Sequence, residues 1–354
     1  MAIGVSPCPP FTKTPSVPGV LYDGNTVAWF KHNDARSVIK DGANRVSFWL
    51  DRYNYTLGAE MVPQNLWYTL AWWDAGTAAD WSQAGVTLAS SGIFGGYQSC
   101  VRNFFWIAGR TYKITYTIVI TFAGTFRAPF ANIIFGETAV VSQTVTYYYT
   151  PNGTDLAVAA QGNLIGSLTA LSIKQVTGNH LLQATGVAQP LWSAANGILF
   201  DGVADFLRCI PFVFIQPEFI YFVGRQITWT GADYIYDGEA AANTGALYQQ
   251  AFTPELKADA GGASGANNNL ALNTFGIIRC LFNGANSLLQ INQTVAVIGN
   301  FGAANMGGFV LGINGLSVAW SNIEVKEIIL RRSADNAAVQ LQIYNYLRNA
   351  NVIP

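Results

Sequence analysis

The segment Thr111 to Phe122, TYKITYTIVITF, constrains this chain more than any other. Tyr112, Ile114, Tyr116, Ile118, Ile120 and Phe122 share one parity; Thr111, Lys113, Thr115, Thr117 and Thr121 share the other. Alternate residues of a strand point to opposite faces, so a period of two predicts a long, half-buried β-strand. Gln143 to Thr150 alternates similarly, grouping Val145, Tyr147 and Tyr149, and ends at the turn residues Pro151-Asn152-Gly153. In Leu168 to Val176 the phase slips between Leu168 and Leu171, which predicts a bulge. Phe219, Tyr221 and Val223 alternate with the equally apolar Ile220 and Phe222, as in a strand buried on both faces. Gly276 to Phe282 runs into Asn283-Gly284, a hairpin signal, and Leu288 to Asn292 returns. Phe309 to Ile313 and Ile323 to Leu330 complete the series. Such strands, bounded by Gly/Asn turns, predict an all-β sandwich.

One short C-terminal helix stands apart. Val339, Ile343, Tyr346 and Leu347 recur at helical spacing, Ser333 is the expected cap, and Arg348 lies in the last turn, where the helix dipole favours a cation. The helix is expected to cover the sandwich as a lid.

Composition excludes several classes. Charged residues are 11% of the chain, against about 25% in an average globular protein. Nineteen Lys and Arg against 20 Asp and Glu leave no basic excess for phosphate, which argues against nucleic acid as a partner. A 51% hydrophobic content argues against disorder. The most apolar stretch, Ile210 to Val223, is interrupted by Gln216, Pro217 and Glu218, and no run reaches the roughly 18 apolar residues of a membrane span. A near-neutral, charge-poor surface is weakly protected against self-association, which points to a protein that lives bound to others. Met1 to Phe11 lacks the basic and apolar regions of a secretory signal, so synthesis in a reducing cytoplasm is expected. Cys8, Cys100, Cys209 and Cys280 show no paired spacing and read as reduced, mostly buried thiols. Residues 1–19, with Pro9, Pro10, Pro15 and Pro18, read as an extended arm, either a loose terminus or a tether that orders on a neighbour.

Val27 to Tyr53, with Trp29, Asp41-Gly42, Val46-Ser47, Trp49 and Asp51, resembles the opening of a concanavalin A-like (laminin-G-like) jelly roll. The continuation of that pattern stands far downstream, at Gly178 to Leu207, GNHLLQATGVAQPLWSAANGILFDGVADFL. Phe219 to Arg225, the Asn283-Gly284 hairpin, Gly308 to Gly312, Ile323 to Leu330 and the terminal helix follow in the same order. The resemblance implies a discontinuous jelly roll, residues 20–59 and 179–354, interrupted by a second, smaller β-sandwich at 60–178. Insertion at an exposed loop is tolerated when the guest's ends lie close together. The insert resembles the galactose-binding-like, carbohydrate-binding-module-like sandwiches of phage structural proteins, through Ala108 to Ile114, Val145 to Tyr149 and Gly166 to Val176.

Chemistry is sparsely represented. Jelly-roll glucanases carry an E-x-D-x-E strand, and this chain has none. The nearest cluster, Asp233, Asp237 and Glu239, is expected on one exposed strand face running into the Asp237-Gly238 turn. His32 and His180 lack partners at ligand spacing, so no metal site is assigned and no cofactor is expected. Asp201-Gly202 and Asp205 are candidate oxygens for a calcium ion at a loop rim, and turn formation explains them equally well. Trp67, Trp72, Trp73, Trp81 and Tyr97 cluster early in the insert; their faces suit sugar stacking, although core and interface filling are commoner uses of tryptophan. Trp72, Trp73, Trp81 and Tyr97 are therefore the glycan-contact candidates, with no catalytic residue named.

Together the resemblances imply a non-enzymatic virion protein of a tailed phage, of capsid-decoration, head-fibre or tail-tip type. Its expected partners are other virion proteins, met through the N-terminal arm, and carbohydrate. A homo-oligomer is expected, a trimer by analogy with such components. A secreted or cell-surface glycan-binding lectin or adhesin is the alternative, and a glycan-cleaving enzyme the third reading.

Overall fold

The computed structural model describes residues 16–34, 37–62, 64, 75–76, 81–84, 87–91, 94–103, 107, 110–122, 125–127, 136–137, 141–150, 155–162, 165–250 and 255–353. The fold is all-β with one short C-terminal helix. Two compact units arise, one from Met1–Tyr53 and Asn179–Pro354, the other from Asn54–Gly178. None of the described helices is long and apolar enough to cross a membrane.

The first unit, the body, is a sandwich of two antiparallel sheets. One runs Leu191–Ser193, Gly197–Asp201, Asn322–Arg331, Glu218–Gln226, Gly276–Phe282, Ser287–Ile291, Val297–Gly299, with Thr26–Lys31 also pairing to Asn322–Arg331. The other runs Val38–Lys40, Val46–Trp49, Leu181–Leu182, Leu207–Cys209, Val310–Leu311, Tyr234–Asp237, Ala246–Gln249, Leu256–Asp259, Gly265–Asn267. Their inner faces share one core, in which Phe30, Ile220, Phe222, Ile278 and Ile328 meet Trp49, Leu207, Tyr236, Leu247 and Leu311. The opposite parity of the first sheet, Trp29, Phe219, Tyr221, Val223, Ile277 and Ile329, packs against Ile343, Tyr344, Tyr346 and Leu347 of the helix Ala337–Asn351. The double-sided apolar pattern of Phe219 to Val223 is thus explained by a sheet covered on both faces.

Two buried charges fasten the helix and the chain start to this sheet. Glu327, fully buried, accepts from Trp29 Nε1 (2.7 Å), Tyr346 Oη (3.0 Å) and Asn351 Nδ2 (2.7 Å), with Lys31 Nζ 3.7 Å away. Arg331 donates to Asp335 and Asp23, and through Nη1 to the Val20 carbonyl (2.7 Å) and Thr26 Oγ1 (3.0 Å). A carboxylate or guanidinium removed from water survives only with such donors and counter-charges around it.

Three local expectations are corrected. Asn336, not Ser333, caps the helix: its Oδ1 accepts from Ala338 N and Val339 N at 3.0 Å each. Ser333 Oγ instead donates to Asp335 (2.7 Å), which Arg331 holds in place. The strand expected at Phe309 to Ile313 shrinks to Val310–Leu311, because Gly307, Gly308 and Gly312 adopt positive φ (58°, 150° and 82°), a left-handed backbone that ends the ladder on either side. The Asn283-Gly284 hairpin forms, but its turn extends to Asn286 through a short 3-10 segment, closed by Ser287 Oγ donating to the Gly284 carbonyl (2.7 Å).

The second unit, the insert, holds two further antiparallel sheets. The larger runs Val141–Tyr149, Thr111–Phe122, Ile165–Thr177, Thr87–Ser91, Trp81–Ala84, with Thr56–Glu60 also pairing to Ile165–Thr177. The smaller runs Gly136–Glu137, Thr125–Arg127, Asp155–Gly162, Phe94–Asn103, Ala75–Gly76. Tyr112, Ile114, Tyr116, Ile118 and Ile120 are buried, Thr115 and Thr117 between them are half-buried and Thr121 is exposed, while Thr111 at the start of the strand is buried. A register shift lies between Leu168 and Ala170, where the phase of the sequence slips. The first boundary falls at Tyr53 rather than residue 59, because Glu60 binds Ser172 Oγ and Ile173 N and so draws Thr56–Glu60 onto Ile165–Thr177.

Candidate functional site

The polar centre of the body is Asp51, which is fully buried. Its Oδ1 accepts from Trp29 N (3.0 Å) and Tyr53 N (2.9 Å), and its Oδ2 from Asn179 N (3.1 Å). Its own N–H donates to His180 Nδ1 (2.9 Å). The last body residue before the insert and the first after it are thus held by one carboxylate. Asn179 Nδ2 adds a bond to the Val27 carbonyl (2.7 Å).

Both histidines serve the backbone. An N–H donor at His180 Nδ1 requires that nitrogen to be unprotonated, so the neutral ring carries its proton on Nε2. His32 Nδ1 lies 2.9 Å from the Lys326 carbonyl, which can only accept, so there the proton sits on Nδ1. Burial pushes the His32 pKa down.

Among the described residues, no group of three or more His, Cys, Asp or Glu is placed to hold a metal ion. Asp201 Oδ1 accepts from Val203 N (2.8 Å), Ala204 N (2.9 Å) and Asp205 N (3.1 Å), and Asp205 Oδ2 accepts from Asp201 N (3.1 Å). Burial raises the Asp201 pKa, but these N–H donors outweigh it and hold the group below its ordinary value. Burial and then the neighbouring Asp201 charge push Asp205 up to about 7. Turn closure accounts for the geometry of this pair.

The expected exposed face at Asp233, Asp237 and Glu239 does not form. A bulge between Tyr234 and Tyr236 breaks the alternation, and Asp237 is buried, accepting from Gly238 N (2.7 Å), Gly245 N (3.2 Å) and Gly315 N (3.1 Å). Glu239 pairs with Arg208 at 3.4 Å. Cys209 and Cys280 are free and buried, and burial pushes the Cys280 thiol up to about 12.

Of the glycan-contact candidates, Trp72 and Trp73, like Trp67, lie outside the described residues. Trp81 opens the strand Trp81–Ala84 and Tyr97 lies in Phe94–Asn103; these belong to different sheets, so no single sheet face carries both. The sequence reading passed over a different aromatic feature. Tyr234 and Tyr248 are half-buried and stacked, with ring centroids 5.0 Å apart and planes at 18°, and Lys257 follows in the same cross-strand row. Ala246–Gln249, only four residues long, is too short for a period-two pattern to fix a face.

No family model matches the chain, and no curated protein matches it. The solved structures that resemble it include a Trypanosoma rangeli sialidase bound to sialic acid, at 12% identity and a TM-score of 0.34, covering 44% of this chain and 29% of that one. The same sialidase with the inhibitor DANA gives 11% and 0.32, covering 42% and 27%. A mutant of it displaying trans-sialidase activity gives 14% and 0.32, covering 45% and 28%. The chain thus spans less than a third of the length of these structures.

Proposed function

We propose that the chain is a non-enzymatic structural component of a tailed-phage virion, of the capsid-decoration or tail-tip type. The observation that carries this reading is the splice at Asp51. A sandwich that pins both chain crossings to a second sandwich with one buried carboxylate is built to carry a module. The jelly-roll resemblance of Val27 to Tyr53 and Gly178 to Leu207 supplies the phage assignment, and the low charge content fits a protein covered by neighbours. The Pro-rich residues 1–15 are the proposed tether, rooted where Arg331 holds Asp23 and Val20. The test is stoichiometric co-purification with assembled particles, lost on deletion of residues 1–15. Purified particles free of the protein would overturn the proposal.

The adhesin reading has one observation in its favour, the half-exposed Tyr234–Tyr248 stack beside Lys257. Aromatic faces and edges with a polar rim suit a sugar. A glycan array on the full chain tests it: binding lost in the Tyr234→Ala/Tyr248→Ala variant supports it, and an array without signal removes it.

A further inference from the structure

A primary amine, a primary amide and a carboxylate meet at one atom of the body. Glu327 Oε2 accepts from Asn351 Nδ2 at 2.7 Å, and Lys31 Nζ lies 3.7 Å from the same oxygen. Lys31 ends the strand Thr26–Lys31, and Glu327 stands opposite it in Asn322–Arg331. Two residues on from Trp29, Lys31 shares the face that the helix covers. Asn351 is the last residue of that helix, Ala337–Asn351. The amine and the amide thus come from opposite ends of the chain.

We propose that Lys31 and Asn351 join in an intramolecular isopeptide bond, formed once per chain, with Glu327 as the catalytic acid–base group. Glu327 takes one proton from the Lys31 ammonium. The neutral Nζ attacks Asn351 Cγ, and a second Nζ proton passes through Oε2 to Nδ2. The Cγ–Nδ2 bond breaks, ammonia leaves, and an Nζ–Cγ amide remains. The last of the three ammonium protons stays on the new amide, and Glu327 ends protonated. An ion pair and an amide become a substituted amide, ammonia and a neutral carboxylic acid, with no oxidant or cofactor required.

The geometry favours each step. Lys31 is too far from Glu327 for a hydrogen bond. Its Nζ donates instead to Tyr346 Oη (3.1 Å), which donates to Glu327 Oε1 (3.0 Å). The amine is therefore held beside the base without being tied to it. Asn351 Nδ2 donates twice, to Glu327 and to the Leu347 carbonyl (3.0 Å), whereas its Oδ1 is buried and has no donor. Buried polar atoms of a purely structural side chain are normally paired. This amide is gripped by its leaving nitrogen, within reach of the acid, and its carbonyl is unengaged. Glu327 and Trp29 have no exposed surface, and Tyr346 and Asn351 are 4% exposed, so the reacting groups are shielded from water. Well-oriented groups held this way react as if at about 10⁵ M or more. Lys326 is the other nearby amine, but its Nζ approaches the main-chain carbonyl of Asn351 (3.5 Å) and lies over the Phe275 ring. The link closes a covalent ring from the first strand, through the insert, to the terminal helix, so neither end of the body can peel away. The proposal stands independently of the virion assignment.

Peptide mapping of the denatured full chain by mass spectrometry tests it. Trypsin cuts after Lys13, Arg36 and Arg348, so the link joins residues 14–36, uncut at Lys31, to residues 349–354. The expected product is that branched peptide, lighter than its two parts by one ammonia, with fragment ions placing the bond between Lys31 and Asn351. Lys31→Arg keeps the cation, removes the nucleophile and is expected to give only separate peptides of full mass. Glu327→Gln, checked for folding by circular dichroism, is expected to slow linkage about a hundredfold or more, as loss of an acid–base group does. The wild-type map decides the question even if that variant fails to fold. A wild type yielding only free 349–354 peptide of full mass would overturn the proposal. So would ammonia loss mapped to Lys326, to Asn349 or to a cyclised Asn351, or a folded Glu327→Gln protein that links at the wild-type rate.

Discussion

The carboxylate of Asp51 accepts the backbone N–H of Asn179 at 3.1 Å, across 128 positions of sequence. The same side chain accepts from Tyr53 N, so the chain's departure to the insert and its return are fixed at one point in the body.

Asp51→Ala is expected to be severely destabilising for the body. It leaves the N–H groups of Trp29, Tyr53 and Asn179 without their acceptor at a fully buried site. Each unsatisfied buried donor costs about 1–3 kcal/mol, so a loss of about 3 kcal/mol or more is expected. Asp51→Asn keeps an oxygen on one side only and should fall between. Urea unfolding followed by tryptophan fluorescence measures both, and a wild-type midpoint for Asp51→Ala would contradict the assignment.

Replacing residues 54–178 by a short Gly/Ser linker is expected to leave a folded body. Tyr53 and Asn179 are already held side by side by Asp51, so the linker closes a short gap rather than imposing a new one. Cooperative thermal unfolding with the helix signal of Ala337–Asn351 retained is the expected result. A molten or insoluble product would show that the body needs its guest.

Arg331→Leu is expected to cost about 3–5 kcal/mol, the usual result of removing one partner from a buried ion pair. Asp335 would remain buried without its counter-charge, and the root of the N-terminal arm would lose its bonds through Val20 and Asp23. Differential scanning calorimetry reads the first effect. Limited proteolysis reads the second, as faster cleavage near Gly19–Tyr22.

Glu218 gives the chain a pH dependence of definite sign. Its carboxyl is fully buried, with Oε1 accepting from Met306 N (2.7 Å), and burial pushes its pKa up to about 8. The native state therefore holds this proton when the unfolded chain has released it. Stability from this group is greatest below the ordinary carboxylate range, falls as pH rises towards about 8, and levels off above it. Glu218→Gln should remove that slope and raise stability at alkaline pH by a few kcal/mol, with little gain near pH 4. Urea midpoints across this pH range check it, and parallel profiles for the two proteins would refute it.

The strand series was legible because burial on a sheet is periodic. Tyr112 to Ile120 show the pattern for one covered face, and Phe219 to Val223 for two. Asp237 was misread for the same reason: parity places a residue on a face only while alternation holds, and a bulge between Tyr234 and Tyr236 interrupts it. Asn336 replaces Ser333 as the cap because Arg331 commits Asp335, and Asp335 in turn engages Ser333. No local pattern encodes that chain of contacts.

The sequence by itself determined the all-β class, the two-faced burial of Phe219 to Val223 and the apolar stripe of the terminal helix, since these are properties of neighbouring residues a few positions apart. Only the tertiary structure decided that Asp51 holds Tyr53 and Asn179, and that Glu60 draws Thr56–Glu60 into the insert. Those outcomes depend on which distant backbone group reaches a given donor or acceptor. That choice is made through space, where packing rather than order along the chain sets the distances.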